Sequence, residues 1–232
     1  MNDDLGRGML GWQQDRWTQL DSAAANAVAA HVIMRNLVDR QDNAGAHNVR
    51  IAGNDVGVKT LVAGFSIDMK KDEDEDVDRK VANCAAELAR LEDKEILDRI
   101  VTKHVSDYTG KYDPFVKAKN ELNASSIGVV VTSEILTELE TTSVAGGART
   151  ALDAVQNILG TTFLQSSAFE RGLGKVEAIV LKVTPPSARI VTASGPRIRV
   201  LKVDSGKVEL QIEEEIAVGT LDPDMCVRLI RK

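Results

Sequence analysis

Apolar positions along the chain change their period several times, and each change predicts a new element. Between Gly11 and Arg35, the residues Trp17, Leu20, Ala24, Ala27, Val28, His31 and Met34 recur at helical spacing, which turns one face of a helix toward a core. Its run of alanines gives a slim surface suited to close packing. From Gln41 to Gly57 the composition shifts to Asn, Asp, Gly and His, a flexible excursion. In "VKTLVAGFSID" Leu61, Ala63, Phe65 and Ile67 alternate, the pattern of a long strand.

The stretch "SIDMKKDEDEDVDRKVANCAAELARLEDKEILDRI" returns to the helical period through Val81, Ala85, Leu88, Leu91, Ile96 and Ile100. Asp72, Glu73, Asp74, Glu75, Asp76 and Asp78 precede or open that helix, where its dipole favours each by up to about 1 kcal/mol. A calcium loop would need Gly at its bend, and "DEDEDVDRKVAN" has none, so no metal site is expected.

After the polar connector "VSDYTGKYDP" and a short helical segment "FVKAKNELN", the unbroken run Ile127–Val131 predicts a strand buried on both faces, with Ser133 capping the next helix. Beyond an "AGG" break, Leu152, Val155 and Leu159 share one helical face that stops at Gly160. The remainder alternates as strands, "KVEAIVLKV", "PRIRVLKVDSGKVELQIEEEIAV" and "MCVRLIRK", with Asp204-Ser205-Gly206 turning a hairpin. This irregular mixture gives an α+β class.

The net charge of −6 argues against a general nucleic-acid binder, which needs a concentrated basic face, although an acidic wall can still enclose nucleic acid. With 3% aromatic residues, a stacking platform is not expected, and Trp12 and Trp17 are read as docking the first helix onto the body. Cys84 and Cys226 make no disulfide framework and read as small core residues in a reducing compartment. No apolar run approaches a membrane span, and the opening "MNDDLGRGMLGWQQDRW" lacks signal-peptide order, so a cytoplasmic location is expected. The "NAS" at Asn123 reads as a turn.

Enzyme chemistry is not apparent. His31, His47 and His104 lie far apart without ligand spacing, and neither "GRGMLG" nor "GLGK" at Gly172–Lys175 has the context of a phosphate loop. A small hydrolase or transferase would need a triad or metal set, so no catalytic residue is assigned.

The order of elements, "WTQLD" leading to "IMRNLVD", a ribbon, a strand, then "AAELARLEDKEILDRI", resembles an encapsulin, a shell protein of the Hong-Kong-97-type phage capsid fold. Arg35, Val38 and Asp39 match the segment after the family's first helix. Glu92, Asp93 and Ile96 match the end of its spine helix, "IGVVVTSEILTELE" its axial strand and helix, and "TLDPDMCVRLI" its terminal strand at Pro223. The resemblance implies an N-terminal helix region (1–42), an elongated loop (43–68), a peripheral-domain spine helix (69–108), an axial domain (109–195) and peripheral return strands (196–232). It implies a ribbon at about His47–Lys59 that reaches another subunit without a local core.

It also implies a self-assembling icosahedral homo-oligomer, enclosing cargo protein bound through a short targeting peptide. The same fold in a tailed phage would enclose DNA with phage assembly proteins, as a virion. The matching cargo positions are Arg35, Asp39, Met225, Val227 and Leu229, and those lining a fivefold pore at the axial tip are Asn123, Ala124, Ser125 and Ser126. The flavin-binding aromatic residue of some members has no counterpart at Ile67–Lys71, so no cofactor is expected. Lys59 is the ribbon's sole candidate for the crosslinks of some phage relatives, and assembly without covalent chemistry is expected.

Overall fold

A computed structural model describes residues 5–102, 104–109, 112–144, 149–171 and 176–231. The "AGG" break at 145–147 and the "GLGK" turn at 172–175 lie outside the described residues. Helix α1, Gln14–His31, buries Trp17, Leu20, Ala24 and Val28. It ends before Arg35 because the Asp93 carboxylate accepts the backbone N–H groups of Ile33 and Met34 at 2.9–3.2 Å, and the chain turns extended at Val32. Met34 still reaches the core, from a 3-10 turn at Met34–Asn36.

Strands β1 (Asp39–Asp42), β2 (Asn48–Ile51), β3 (Asn54–Gly57) and β4 (Lys59–Asp68) follow. Leu61, Ala63 and Ile67 of β4 point inward, with Phe65 half-buried, as the alternation predicts. The excursion does have a small core of its own. The β2–β3 hairpin seats Val49 and Ile51 against Val191 and Ala217, and Gly219 permits the approach, since a Cβ there would lie 2.8 Å from Ile51.

Helix α2, Asp74–Arg99, opens on a capping box between Glu73 and Asp76, so the acidic stretch is its start signal. The polar connector contains a strand, β5 (His104–Tyr108), paired in parallel with the final strand, an order that alternation over so few residues did not reveal. Then come α3 (Asp113–Leu122), β6 (Ile127–Val131, buried throughout), α4 (Ser133–Thr141), α5 (Ala151–Leu159) and β7 (Phe163–Gln165). The cap of α4 is Thr132, whose hydroxyl accepts from Ile135 N, and not Ser133. Gly160 ends α5 in the left-handed conformation expected of it.

The last strands are β8 (Val176–Lys182), β9 (Ala188–Asp204), β10 (Lys207–Thr220) and β11 (Cys226–Arg231). They build two sheets, a four-stranded one ordered β1-β9-β10-β4 and a five-stranded one ordered β5-β11-β8-β6-β7. The return segment therefore divides differently from the expected 196–232. β9 enters the four-stranded sheet already at Ala188, whereas β11 crosses into the five-stranded sheet between β5 and β8. Its crossing is secured by Arg228, which donates to the free carbonyls of Leu97 and Ile100 at the end of α2. One core joins α1, α2 and the four-stranded sheet to Val130, Ile179 and Leu181 of the other sheet. A second lies between the five-stranded sheet and α3–α5.

Candidate functional site

The most concentrated polar arrangement lies where α2, β10 and the Met34–Asn36 turn meet. The guanidinium of Arg35 grips Glu92 as a fork, Nε to Oε1 at 2.6 Å and Nη2 to Oε2 at 2.7 Å, and also bonds Glu214. Both glutamate side chains are fully buried. One cation thus serves two carboxylates, and Glu214 Oε2 has no hydrogen-bond partner. Burial first, and the neighbouring Glu92 charge second, raise Glu214 to about 8, against the pull of Arg35, so near neutral pH it readily keeps a proton.

Asp93 extends the arrangement. It accepts from Ile33 N, Met34 N and Ser166 Oγ, tying α2 to the end of α1 and to the segment after β7. Burial raises its pKa to about 6, although the two backbone donors oppose the shift. One turn on, Glu95 takes Lys59 and Arg99; burial works to raise it, but these cations hold it below the ordinary value. Lys59, considered above for crosslinking, is thus ion-paired within its own chain.

This cluster fixes the relative placement of three elements. Among the described residues, no group of three or more His, Cys, Asp or Glu is arranged to hold a metal. Cys84 and Cys226 are both buried free thiols.

The five expected cargo positions do not form one groove. Arg35 is committed to Glu92 and Glu214, and Asp39 on β1 pairs with Arg189 at 2.6 Å. Val227 and Leu229 are fully buried under α3–α5, because inward alternation on β11 serves the second core and not the first helix. Met225 lies in a short 3-10 turn before β11. The four expected pore residues form the α3–β6 turn, with Asn123, Ser125 and Ser126 exposed and Ala124 buried. That turn is not the far tip of the five-stranded sheet. Ser126 O accepts from Val183 N beside the β8–β9 crossover, and Gly128 abuts Leu37, so it lies next to the four-stranded half.

Glu214 and Ser166 were not foreseen. Glu214 had a signal: it sits on the inward phase of Val208, Leu210, Ile212, Ile216 and Val218. Ser166 had none, since only the fold brings it to Asp93.

No protein-family model and no curated protein matches the chain. Solved structures do. A virus-like particle from Pyrococcus furiosus is similar at 13% identity and TM-score 0.69, over 93% of this chain and 99% of that one. The capsid of Cyanophage P-SCSP1u is similar at 11% identity and TM-score 0.60, over 87% and 88%. The capsid of a native GTA particle is similar at 13% identity and TM-score 0.59, over 90% of each chain. Two sheets sharing a long acidic-capped helix, matched nearly end to end in these particles, give this chain the Hong-Kong-97-type capsid fold.

Proposed function

We propose that this chain is the subunit of a closed icosahedral shell, a nanocompartment that encloses cargo protein. The observation that carries this reading is the end-to-end likeness to the Pyrococcus furiosus virus-like particle, which leaves almost none of either chain uncovered. A shell subunit needs rigid elements more than a reaction centre, and the buried cluster on α2 supplies that rigidity.

A virion shell enclosing DNA is the second reading, favoured by the similar phage and GTA capsids. The exposed face of the C-terminal half of α1 supports the first. Ser22, Ala23, Asn26, Ala29, Ala30 and His31 are exposed there without a fixed charge, a surface suited to a peptide and poor for phosphates. Electron microscopy of the purified chain tests assembly, with closed particles expected and a dispersed monomer at high concentration contradicting it. Protein co-purifying inside particles supports the compartment, and nuclease-protected DNA supports the virion.

A further inference from the structure

Among the described residues, the four-stranded sheet has two open edges of different character. β4 lies at one of them, paired only with β10 in a continuous ten-residue register from Lys59 to Asp68. Between those two terminal charges the sequence "TLVAGFSI" carries none, and Val62 is 46% exposed. Soluble proteins usually blunt such an edge with charge, proline or a bulge. β4 has none of these. Beside it a groove of about 380 Å³ runs between strand and α2, lined by Gly64, Phe65, Ser66, Lys80, Asn83, Cys84 and Glu87.

At the other edge β9 pairs with β1 only over Arg189–Thr192. Leu5 O then accepts from Val200 N, and the Arg7 guanidinium donates to Ile198 O. From Leu201 to Asp204 no described segment pairs with the outer edge. Leu201 and Val203 are 48% and 40% exposed there, and Val203 shares the helix-side face of Val208 and Ile67.

The two edges are complementary. β4 and β9 are both antiparallel to β10 and hence parallel to each other, so a sheet continued from copy to copy lays β9 parallel to β4. That alignment turns Val203 toward the groove over Phe65 and Cys84, with Leu201, the extra residue of a bulge opposite Glu209 and Leu210, exposed beside it. It also carries the β9–β10 tip, where Lys207 is exposed and Lys202 pairs with Asp204 of its own chain, over the exposed Glu73, Asp74 and Glu75 that open α2. We propose that the free end of β9 in one copy adds as a parallel strand to the β4 edge of a second copy. The contact is heterologous, so it propagates from copy to copy and makes a ring where the rotation between copies closes. This rests on the shell reading above and assigns that shell one of its interfaces.

A cysteine pair across the interface tests it, Val203→Cys with Asn83→Cys in the full chain carrying Cys84→Ala, which removes the native thiol of the groove, oxidised after assembly. Both positions are surface positions of the single chain, and circular dichroism checks the fold. A reducible ladder of multimers in particles is the expected result, with monomer alone from either single variant. Particles without the ladder overturn the interface and leave the shell reading standing. A ladder without closed particles keeps the interface and overturns the shell, and neither product overturns both. A dimer from Val203→Cys alone or from Asn83→Cys alone would mean like-to-like pairing and overturns the parallel addition. Independently, Leu201→Ser with Val203→Ser should raise the concentration needed for assembly by about tenfold or more; an unchanged threshold counts against the proposal.

Discussion

At the scale of single residues, the arrangement that most constrains this protein is one arginine between two buried glutamates. Removing a partner from a buried ion cluster is costlier than the cluster is stabilising, because a desolvated charge stays behind. Arg35→Ala is therefore expected to lower the unfolding free energy of the unassembled chain by about 3–5 kcal/mol, read from urea titration. Arg35→Lys should recover only part, since an ammonium cannot form the fork to Glu92 while reaching Glu214. Glu214 adds a pH dependence whose sign is fixed. Its folded pKa, about 8, lies above the ordinary glutamate value, so the folded state holds the proton more tightly. That contribution is fully present below about pH 4.5 and is lost as pH rises through 8. Glu214→Gln should flatten the decline between those limits, leaving the smaller decline from Asp93, whose raised pKa is about 6. Unfolding midpoints at several pH values check this, and a slope unchanged by the substitution would show that Glu214 is ionised throughout.

At the scale of elements, most boundaries follow from local rules, and the exceptions are where a distant group intervenes. The hydroxyl of Thr132 satisfies Ile135 N at the start of α4, so Thr132→Ala should cost about 1 kcal/mol. Ser133→Ala, at the position the sequence favoured, should cost only a few tenths on the same unfolding curves. The helices, β4, the buried β6 and the Asp204–Gly206 hairpin were legible because each depends on its own period or turn residues. The destination of β11 was not legible. Alternation shows that Val227 and Leu229 face a core, but the choice between two cores depends on β5 and β8 far along the chain. The same ambiguity undid the expected cargo groove. Leu229→Ala is accordingly expected to cost about 2–5 kcal/mol of fold stability, as a cavity in the second core. Asp39→Ala, which breaks a half-exposed pair with Arg189, should cost about 1 kcal/mol or less. Equal, small effects of both would contradict the burial of Leu229.

At the scale of the molecule, α2 determines whether the two sheets behave as one body. It buries Val81, Ala85 and Leu88 in a core that includes Ile212 and Val218 of the four-stranded sheet and Val130, Ile179 and Leu181 of the five-stranded sheet. Its acidic residues add ties in both directions, Glu92 to Arg35 and Glu214, and Asp93 to Ser166 beyond β7. Arg228 closes the far end by capping α2 from β11. Loss of α2 would uncover part of both sheets at once, so the unassembled chain should unfold as one cooperative unit despite its two sheets. Hydrogen exchange under increasing urea reads this directly. Amides of Val129 and Val130 in β6 and of Ile212 in β10 are expected to converge on the same opening free energy. The β2–β3 hairpin is held by the small cluster around Ile51 and should open at lower cost. If β6 lost protection well before Ile212, α2 would belong energetically to the four-stranded sheet alone, and its ties to the other sheet would contribute little.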